Sequence, residues 1–290
     1  MTEPPPVHPF ADLSVEEKAA LAASFGGVAS LYERYRPGPP IVAVEWMVAD
    51  DLDCIVDLGA GTGALTRLLV GRAGEVVAVE PDAQMRSVLT NAVPEARAVP
   101  GRGEEIPLPD HCADAVVASA SWHWMNPVAT LAEVARVLVP GGTLAVVWAG
   151  PDPAGAFLTT AQQLLAERAR DGAGAGSPDA PEPPQGGGGL AGFLTGDGPR
   201  PTFTLEIPDG APFGAPEHEV FTWDVALDAD ELIGLLGTFS WIITMDDEAR
   251  ARIFDEARGL LREHLGVEGA VTVDVTFRAD AWRSRQSDPT

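Results

Sequence analysis

The feature that most constrains the fold is the run from Cys54 to Gly63, which reads CIVDLGAGTG. Apolar residues lead into Asp57, and three glycines then alternate with small residues. The leucines that follow recur at the spacing of a helix: Leu65, Leu68 and Leu69. This pattern predicts a buried strand, a tight glycine turn and the first turn of a helix. Such a junction admits a ligand close to the backbone, because glycine has no Cβ, and it points unpaired helix N–H groups at that ligand.

The glycine pattern by itself leaves the identity of the ligand open. Gly59, Gly61 and Ala64 also fit the relaxed dinucleotide-binding fingerprint G-x-G-x-x-G/A. Asp57 favours a different ligand, since a carboxylate is an awkward neighbour for pyrophosphate and a good partner for an ammonium group. Gly63 is a third glycine, at a point where a dinucleotide-binding helix needs side chains. A turn with a purely structural role is the remaining alternative.

The charge of the chain bears on its partners. Its 43 acidic and 19 basic residues give a formal net charge of −24. Nucleic acids and anionic membranes are bound by clustered Lys and Arg, and the sequence contains no such cluster. We therefore expect a small-molecule partner, no nucleic acid and no membrane. The sequence does not define an oligomeric state.

The cysteines and histidines bear on compartment and metal content. Cys54 and Cys112 show neither C-x-x-C nor Cys/His metal spacing, and the histidines show no metal-ligand spacing either. We expect reduced cysteines and no bound metal. Residues 1–10 lack a basic, apolar signal sequence, and no apolar run reaches membrane-spanning length. These features predict a cytoplasmic protein.

The first 50 residues predict an N-terminal helical lid. Ser14 and Glu17 form a capping box that starts a helix ending near Ala23. Residues 28–35 and 41–49 predict two further helices, separated by a proline-rich break.

Strands and helices then alternate through residues 51–150. Strands are predicted at 75–80, 96–99, 114–119 and 143–148 in addition to the first one. Asp82 and Asn126 are predicted to begin helices, the second with Pro127 at its first position. This alternation predicts right-handed crossovers and a parallel sheet.

The pattern changes after residue 150. A helix is predicted over 153–170, followed by a Gly/Ala/Pro/Ser-rich tract at 171–189 that predicts a connector or a lid segment. The remaining predictions are a strand at 217–224, helices at 228–236 and 246–265, and a final strand at 271–277. We expect one domain, 1–290, in four parts: 1–50, 51–150, 151–215 and 216–290.

With these elements in place, the chain resembles the class I S-adenosylmethionine-dependent methyltransferases. It is most similar to their small-molecule branch, which includes trans-aconitate methyltransferase-like proteins and the methyltransferase type 11 domain. The motifs that carry the resemblance are Tyr32–Pro40, Asp57–Gly63, Val79–Asp82, Gly103–Leu108, Ser121–Trp124, Leu138–Leu144 and Leu236–Trp241. The resemblance implies an α/β fold. Its Rossmann-like, seven-stranded sheet is mostly parallel with an antiparallel last strand, and helices cover both faces.

The resemblance also implies S-adenosyl-L-methionine as the cofactor. Asp57 and the backbone of four neighbours would receive its methionine end: Gly59, Ala60, Gly61 and Gly63. Glu80, followed by Pro81, would accept hydrogen bonds from the ribose hydroxyls; a solvated helix-capping acid is the alternative. The other residues implied are Met85, Gly103 and Glu104 at the adenine, Ser119 and Ala120 near the sulfur, and Tyr32 and Arg36 on the lid.

Two of these positions keep an open alternative, and a third departs from the residue that the family usually shows. Met85 fits core packing nearly as well as an adenine contact. Arg36 fits a surface residue at a helix end as well as a clamp for a carboxylate. The resemblance usually shows alanine at the position of Gly103, which predicts a slightly looser adenine pocket.

The side of the methyl acceptor is less defined. His123 is a candidate catalytic base, and contact with the substrate or a role in the scaffold are equal alternatives. Trp122 and Trp124 are candidate walls around the sulfonium, with core packing as the alternative. Ser240 and Trp241 are candidate substrate residues from the C-terminal part.

These observations predict an enzyme that moves a methyl group from S-adenosylmethionine to a small molecule, at a carboxylate or hydroxyl oxygen, by in-line displacement. One alternative is an NAD-dependent oxidoreductase on a similar sheet. Another is a cofactor-binding protein of the same fold that transfers no methyl group.

Overall fold

The structure is a computed structural model that describes residues 25–152, 154–157, 203–243, 245–264 and 266–287. The helix predicted at 14–23, the tract at 171–189 and most of the helix predicted at 153–170 lie outside these residues. Within the described ranges, no helix is both long and apolar enough to cross a membrane.

Helices and strands alternate along the chain as predicted. A short 3-10 helix, Phe25–Val28, precedes the first α-helix. The α-helices are α1 Ala29–Tyr35, α2 Ile41–Met47, α3 Thr66–Leu69, α4 Ala83–Ala92, α5 Pro127–Val137, α6 Ala229–Leu236, α7 Ser240–Ile243 and α8 Asp247–His264. The strands are β1 Leu52–Leu58, β2 Ala73–Val79, β3 Arg97–Val99, β4 Ala113–Ser119, β5 Leu138–Pro151, β6 Glu217–Leu227 and β7 Val273–Arg285.

The strands form one seven-stranded sheet in the order β3-β2-β1-β4-β5-β7-β6. The pairs β1–β2, β1–β4, β2–β3 and β4–β5 are parallel, and the sheet becomes antiparallel at its end. The predicted fold class is therefore confirmed. From β1 the strand order runs to β2 and β3 on one side, and from β4 it runs to β5 on the other side. The order therefore reverses between β1 and β4, and open α/β sheets bind ligands at the carboxyl ends of the strands at such a point.

Local chemistry explains the helix starts. Asp82 caps α4 by accepting hydrogen bonds from the N–H groups of Gln84 and Met85, each at 2.9 Å. Asn126 caps α5 in the same way, with Pro127 at the first helical position. Asp228 and Glu231 form a complete capping box for α6.

Several boundaries differ from prediction. The helix after the glycine turn begins only at Thr66 and has four residues, because Gly63 is in the left-handed region at φ +96°. Strand β5 begins at Leu138, five residues before the predicted start at 143, and passes through Gly141 and Gly142. Strand β7 extends eight residues past Phe277, to Arg285.

The described residues fall into two compact units. One contains residues 25–150, 203–221 and 279–287, and its largest core cluster packs β1, β2, β4 and β5 against α5. The other contains 151–157 and 222–278, excluding the undescribed positions, and is built around apolar residues of α6 and α8. The division of the chain into a lid, a core, an insertion and a C-terminal part stays a prediction.

Candidate active site

The glycine turn after β1 lies against the segment that follows β4. Gly59 has φ +69°, and a Cβ built there would lie 2.6 Å from the Cβ of Ser121 and 3.1 Å from the Cε of Met125. Gly61 has φ +59°, and a Cβ there would meet no atom within 4 Å. Gly59 is therefore required by close packing, whereas Gly61 faces open space that a ligand can enter.

Four backbone N–H groups of this turn are bonded inside the protein, which differs from the expectation of unpaired donors. Val79 O accepts from the N–H groups of Gly59 at 2.8 Å and Ala60 at 3.2 Å. The N–H of Gly63 donates to Ala60 O at 3.0 Å. The N–H of Gly61 donates to the Glu80 carboxylate at 2.8 Å. Strand β2 and Glu80 thus hold the turn in shape, and these four amides are already paired before a ligand binds.

Asp57 lies beneath this turn with none of its surface exposed. Its Oδ2 accepts a hydrogen bond from the Thr66 hydroxyl at 2.6 Å, and its Oδ1 has no hydrogen-bond partner among the described residues. Burial raises the pKa of Asp57 to about 7, and the Thr66 hydroxyl opposes that rise. An unpaired, buried carboxylate oxygen attracts a cation, and an ammonium group is the predicted one.

Glu80 follows β2 and is 7% exposed. Its two oxygens accept from different backbone groups, Gly61 N–H at 2.8 Å and Asp82 N–H at 2.8 Å. Burial raises the pKa of Glu80, and these two hydrogen bonds oppose the rise. The carboxylate is thus fixed before any ligand arrives, and each oxygen keeps a further lone pair for a hydroxyl donor.

The residues after Glu80 support its position. The Arg86 side chain donates to the backbone oxygens of Glu80 at 2.7 Å and Pro81 at 3.1 Å. Pro81 is exposed, and Met85 is buried with its N–H bonded to the Asp82 cap. The burial of Met85 favours the alternative of core packing.

The turn at Gly103 is closely packed. A Cβ at Gly103 would lie 2.5 Å from the Sδ of Met125 and 3.0 Å from Thr130. The space of an alanine methyl is therefore filled by these two side chains, and the looser adenine pocket stays a prediction. Glu104 accepts from the N–H of Asn126 at 2.7 Å, which ties this turn to the start of α5.

The end of β4 contributes a strained residue. Ser119 is the last residue of β4, and Ala120 follows it with φ +50° and with its N–H bonded to Val147 O at 2.8 Å. The hydroxyl of Ser121 then donates to Leu58 O at 2.8 Å. A left-handed alanine is uncommon and is found at functional turns. Ser119, Ala120 and the glycine turn thus lie together at the carboxyl ends of β1 and β4.

The segment before α2 crosses the turns after β1 and β2. Arg67 of α3 pairs with Glu33 of α1. A Cβ at Gly38 would lie 3.0 Å from the backbone oxygen of Ala64, and one at Gly26 would lie 2.6 Å from the Asp82 carboxylate. This close packing is what a lid on that edge requires.

Tyr32 and Arg36 belong to that segment. Tyr32 lies on α1 and Arg36 directly follows it, and the Arg36 guanidinium lies 5.5 Å from the centre of the Tyr32 ring. Both are half-buried. Their predicted role at the cofactor stays a prediction.

His123 lies in a short 3-10 helix, Trp122–Trp124, and is 9% exposed. Its Nδ1 accepts a hydrogen bond from the Trp148 indole N–H at 3.0 Å. The ring also packs against Trp124 and Phe203, with ring centres 4.5 and 4.8 Å away. Trp148 and Phe203 stack at 5.3 Å with an angle of 6°. His123 is thus held in a box of aromatic rings.

The other predicted acceptor-side residues are placed differently. Trp122 is buried in the core cluster around β4 and α5, which favours packing over contact with a substrate. Trp124 is half-buried and contacts the His123 ring. Ser240 and Trp241 begin α7, and their side chains lie outside what the structure describes. Among the described residues no His, Cys, Asp and Glu cluster could hold a metal.

Sequence reasoning missed several residues of this region. Ser121, Met125 and Thr130 pack on the two glycine turns, and Thr66 and Trp148 bond to Asp57 and His123. The position of Thr66 at the site could have been predicted from the sequence, because Thr66 lies at the start of the helix after the turn. The other four approach the site only through the pairing of β1, β4 and β5.

The residues present fit the cofactor that the resemblance implies. Besides Asp57 Oδ1, the hydroxyls of Thr62 in the glycine turn and Thr130 beside Gly103 are buried and without a partner among the described residues. Buried polar atoms of this kind are uncommon and call for a partner. Together with the Glu80 carboxylate and the open space at Gly61, they provide acceptors for an ammonium group and for hydroxyls.

Comparisons with known proteins agree with the family that the sequence motifs resemble. Residues 56–146 match the family described as "Methyltransferase domain". The chain is 35% identical over 244 residues to "Uncharacterized methyltransferase Rv3342" of Mycobacterium tuberculosis (strain ATCC 25618 / H37Rv), covering 84% of this chain and 88% of that protein. It is 28% identical over 134 residues to "Malonyl-[acyl-carrier protein] O-methyltransferase" of Pectobacterium atrosepticum, covering 44% of this chain and 52% of the relative.

A solved structure shares the fold. It is described as a putative type II methyltransferase from Anaeromyxobacter dehalogenans, and the similarity has a TM-score of 0.56 at 21% identity. It covers 88% of this chain and all of the other chain.

Proposed function

This chain belongs to the class I S-adenosylmethionine-dependent methyltransferases, and we propose that it methylates an oxygen atom of a small molecule, a carboxylate or a hydroxyl. The alternatives of an NAD-dependent oxidoreductase and of a protein without methyl transfer do not fit this family. The observation that supports S-adenosylmethionine as the methyl donor is that Asp57 has a buried, unpartnered oxygen and that two backbone N–H groups fix the carboxylate of Glu80.

The residues that would hold S-adenosylmethionine lie at the carboxyl edge of β1, β2 and β4. Asp57 and Thr62 would receive the ammonium end, next to the open space at Gly61. Glu80 would accept from the ribose hydroxyls, because its oxygens keep lone pairs beyond their two backbone bonds. The Gly103 turn, packed by Met125, would lie on the adenine side.

When bound, this cofactor supplies an electrophilic methyl group on a positively charged sulfur. The work left to the protein is to align the acceptor oxygen in line with that methyl group and to exclude water. Alignment of this kind supplies roughly 7–11 kcal/mol of a barrier. The aromatic box of Trp124, Trp148 and Phe203 around His123 is suited to excluding water. A carboxylate acceptor reacts without a base, whereas a hydroxyl acceptor requires one.

Charge and relatives support the class of acceptor. A net charge of −24 disfavours nucleic acids. The name of the Pectobacterium relative assigns oxygen methylation to that protein, and we extend oxygen as the acceptor atom to this chain. We also propose that the enzyme acts in the cytoplasm, in keeping with two unpaired cysteines, one of them buried.

The test is a transfer screen with S-adenosylmethionine carrying a labelled methyl group, applied to fractionated metabolite extracts. Label is expected in low-mass products. Mild alkali distinguishes the two oxygen acceptors, because a methyl ester releases methanol and a methyl ether does not. Label found only in protein or nucleic acid, or only on nitrogen or carbon, would overturn the proposal. Glu80→Gln, which alters a carboxylate at the proposed cofactor site, should abolish most transfer, and Glu75→Gln, at an exposed position of β2, is the control.

A further inference from the structure

We propose that Thr66 is a positioning residue of the cofactor site, whose hydroxyl keeps the buried carboxylate of Asp57 in its charged form for the ammonium end of S-adenosylmethionine. Both residues lie in the same compact unit, Asp57 in β1 and Thr66 at the start of α3. The step from Asp57 to the ammonium group rests on the proposed function. The effect of Thr66 on the charge of Asp57 does not.

The contact between the two side chains is short and closed to water. The Thr66 hydroxyl donates to Asp57 Oδ2 at 2.6 Å, and neither residue exposes any surface. That distance lies in the range of a charge-assisted O–H···O⁻ hydrogen bond, roughly 2.5–2.7 Å. A hydrogen bond to the charged form of an acid favours that form, whereas burial favours the neutral acid. The hydroxyl therefore acts on the charge of Asp57 as well as on its orientation.

Within the described part of the chain, Thr66 is the residue that donates hydrogen bonds to this carboxylate. Asp57 Oδ1 has no partner there, and the other hydrogen bond that opposes the effect of burial comes from the backbone N–H of Thr66 itself. The neighbours across the sheet, Ala78 of β2 and Val117 of β4, have no side-chain donor. Without the hydroxyl, the carboxylate would be buried with no side-chain hydrogen bond, and such a group takes up a proton.

The charged groups near Asp57 do not replace the hydroxyl. Among the described residues, Glu80 after β2 is the charged side chain that acts on Asp57, and its negative charge favours the protonated form. The nearby cations have other partners. Arg67 of α3 pairs with Glu33 of α1, and Arg86 of α4 donates to the backbone oxygen of Glu80. The hydroxyl is thus the side-chain group that holds Asp57 in its charged form.

The charge of Asp57 determines how cofactor binding depends on pH. Burial raises the pKa of Asp57 to about 7 even with the hydroxyl in place. Protonated Asp57 must release its proton before it can attract an ammonium group, so the affinity rises with pH through that pKa. Without the hydroxyl the same rise occurs at a higher pH. A protein that lacks the hydroxyl therefore differs from wild type mainly at and below neutral pH.

The ionisation of Asp57 can be measured without any ligand. The full chain is labelled with ¹³C at the aspartate carboxyl groups, and Asp57→Asn identifies the signal. Thr66→Val replaces the hydroxyl by a methyl group. It should raise the midpoint of the Asp57 titration by about one pH unit or more, the tenfold change expected when a hydrogen bond to a charged group is lost.

Two further variants keep this measurement decisive. Thr66→Ala also lacks the hydroxyl and should give the same rise, so the test stands if Thr66→Val does not fold. Thr66→Ser retains the hydroxyl and should titrate as wild type. An unchanged midpoint in the variants without the hydroxyl, or an equal rise in Thr66→Ser, would overturn the proposal.

Isothermal titration calorimetry with S-adenosylmethionine from pH 6 to 8 tests the link to the cofactor. At pH 6.5, Thr66→Val should bind roughly fivefold or more weakly than wild type, and the two affinities should approach each other toward pH 8. The titration of the cofactor's own amino group cancels in this ratio, because it is the same for both proteins.

The control ligand is 5′-methylthioadenosine, which lacks the amino and carboxyl groups of the methionine end. It should bind Thr66→Val and wild type alike at every pH. A loss of S-adenosylmethionine affinity that is the same at all pH values, or that also affects 5′-methylthioadenosine, would indicate a scaffold role for Thr66 and overturn the proposal.

The two experiments separate this proposal from the proposed function. If Asp57→Asn binds S-adenosylmethionine as tightly as wild type, the assignment of Asp57 to the cofactor site fails, and the effect of Thr66 on binding fails with it. The ¹³C titration alone then decides whether Thr66 keeps Asp57 charged.

Discussion

The carboxylate of Glu80 accepts the backbone N–H of Gly61 at 2.8 Å, which joins the end of one strand to the glycine turn after its neighbour. The other oxygen of Glu80 accepts from Asp82. A single side chain therefore shapes the turn and offers the proposed acceptor for the ribose hydroxyls. Its position results from the parallel register that sets Leu58 beside Val79.

Replacing Glu80 by Gln should weaken S-adenosylmethionine binding by tenfold or more, which corresponds to ~1.4 kcal/mol. The amide keeps one acceptor oxygen, but its NH2 group would face a backbone donor, so one of the two hydrogen bonds is lost. Isothermal titration calorimetry measures the change. Glu75→Gln, at an ion pair that is half-exposed on both sides, should bind as wild type. Equal affinity in the two variants would refute the role of Glu80.

Replacing Asp57 by Asn should change how stability depends on pH. The pKa of Asp57 rises from 3.8 to about 7 on folding. Between these values the folded chain retains a proton that the unfolded chain has lost, so the contribution of Asp57 to stability falls as pH rises toward 7 and is constant above it. The free energy of unfolding of wild type should therefore decrease relative to Asp57→Asn from pH 5.5 to 7.

Urea unfolding of both proteins across pH 5.5–8 measures this difference. Parallel curves over the whole range would show that Asp57 does not titrate there. Asp57→Asn should also bind S-adenosylmethionine more weakly, because it lacks the negative charge that the ammonium group would meet.

Replacing Gly103 by Ala should destabilise the protein by about 1–3 kcal/mol through overpacking. The added methyl group would lie 2.5 Å from the Sδ of Met125. In the double variant with Met125→Ala the space is restored, so the loss should be smaller than the sum of the two single losses. Additive losses in urea unfolding would show that Met125 does not fill this space.

Replacing Gly26 by Ala should loosen the start of α4. The new methyl group would lie 2.6 Å from the Asp82 carboxylate, which caps that helix. Loss of a cap costs ~0.5–2 kcal/mol. Gly27→Ala is the matched control, since a Cβ there meets no atom within 4 Å. If both variants unfold at the same urea concentration, the 3-10 helix before α1 does not pack closely against the Asp82 carboxylate.

The parts of the site that could be predicted are those determined by neighbours in sequence. Asp82 and Asn126 were recognised as helix caps because a cap bonds to N–H groups two or three residues away. The turn at Asp57–Gly63 was recognised from its glycines. Its amides were assigned to a ligand, however, because the sequence gives no sign that Val79 and Glu80 accept them.

Contacts between distant segments escaped prediction. Ser121 bonds to Leu58 across 63 residues, and Trp148 bonds to His123 across 25. The first contact depends on the register between β1 and β4, and the second on the register between β4 and β5. Apolar strand sequences do not specify these registers. The tightness at Gly103 was missed for the same reason, since Met125 and Thr130 reach it only after α5 has docked.

The amides of Gly59, Ala60 and Gly61 already donate to β2 and Glu80. They should therefore exchange their hydrogens slowly with solvent deuterium even in the ligand-free enzyme. The extra protection from hydrogen exchange that cofactor binding gives would then be smallest at the glycine-rich motif that identifies the site. A turn that needs no ordering on binding also adds little conformational entropy cost, so the affinity would be decided by side-chain contacts and not by the folding of a loop.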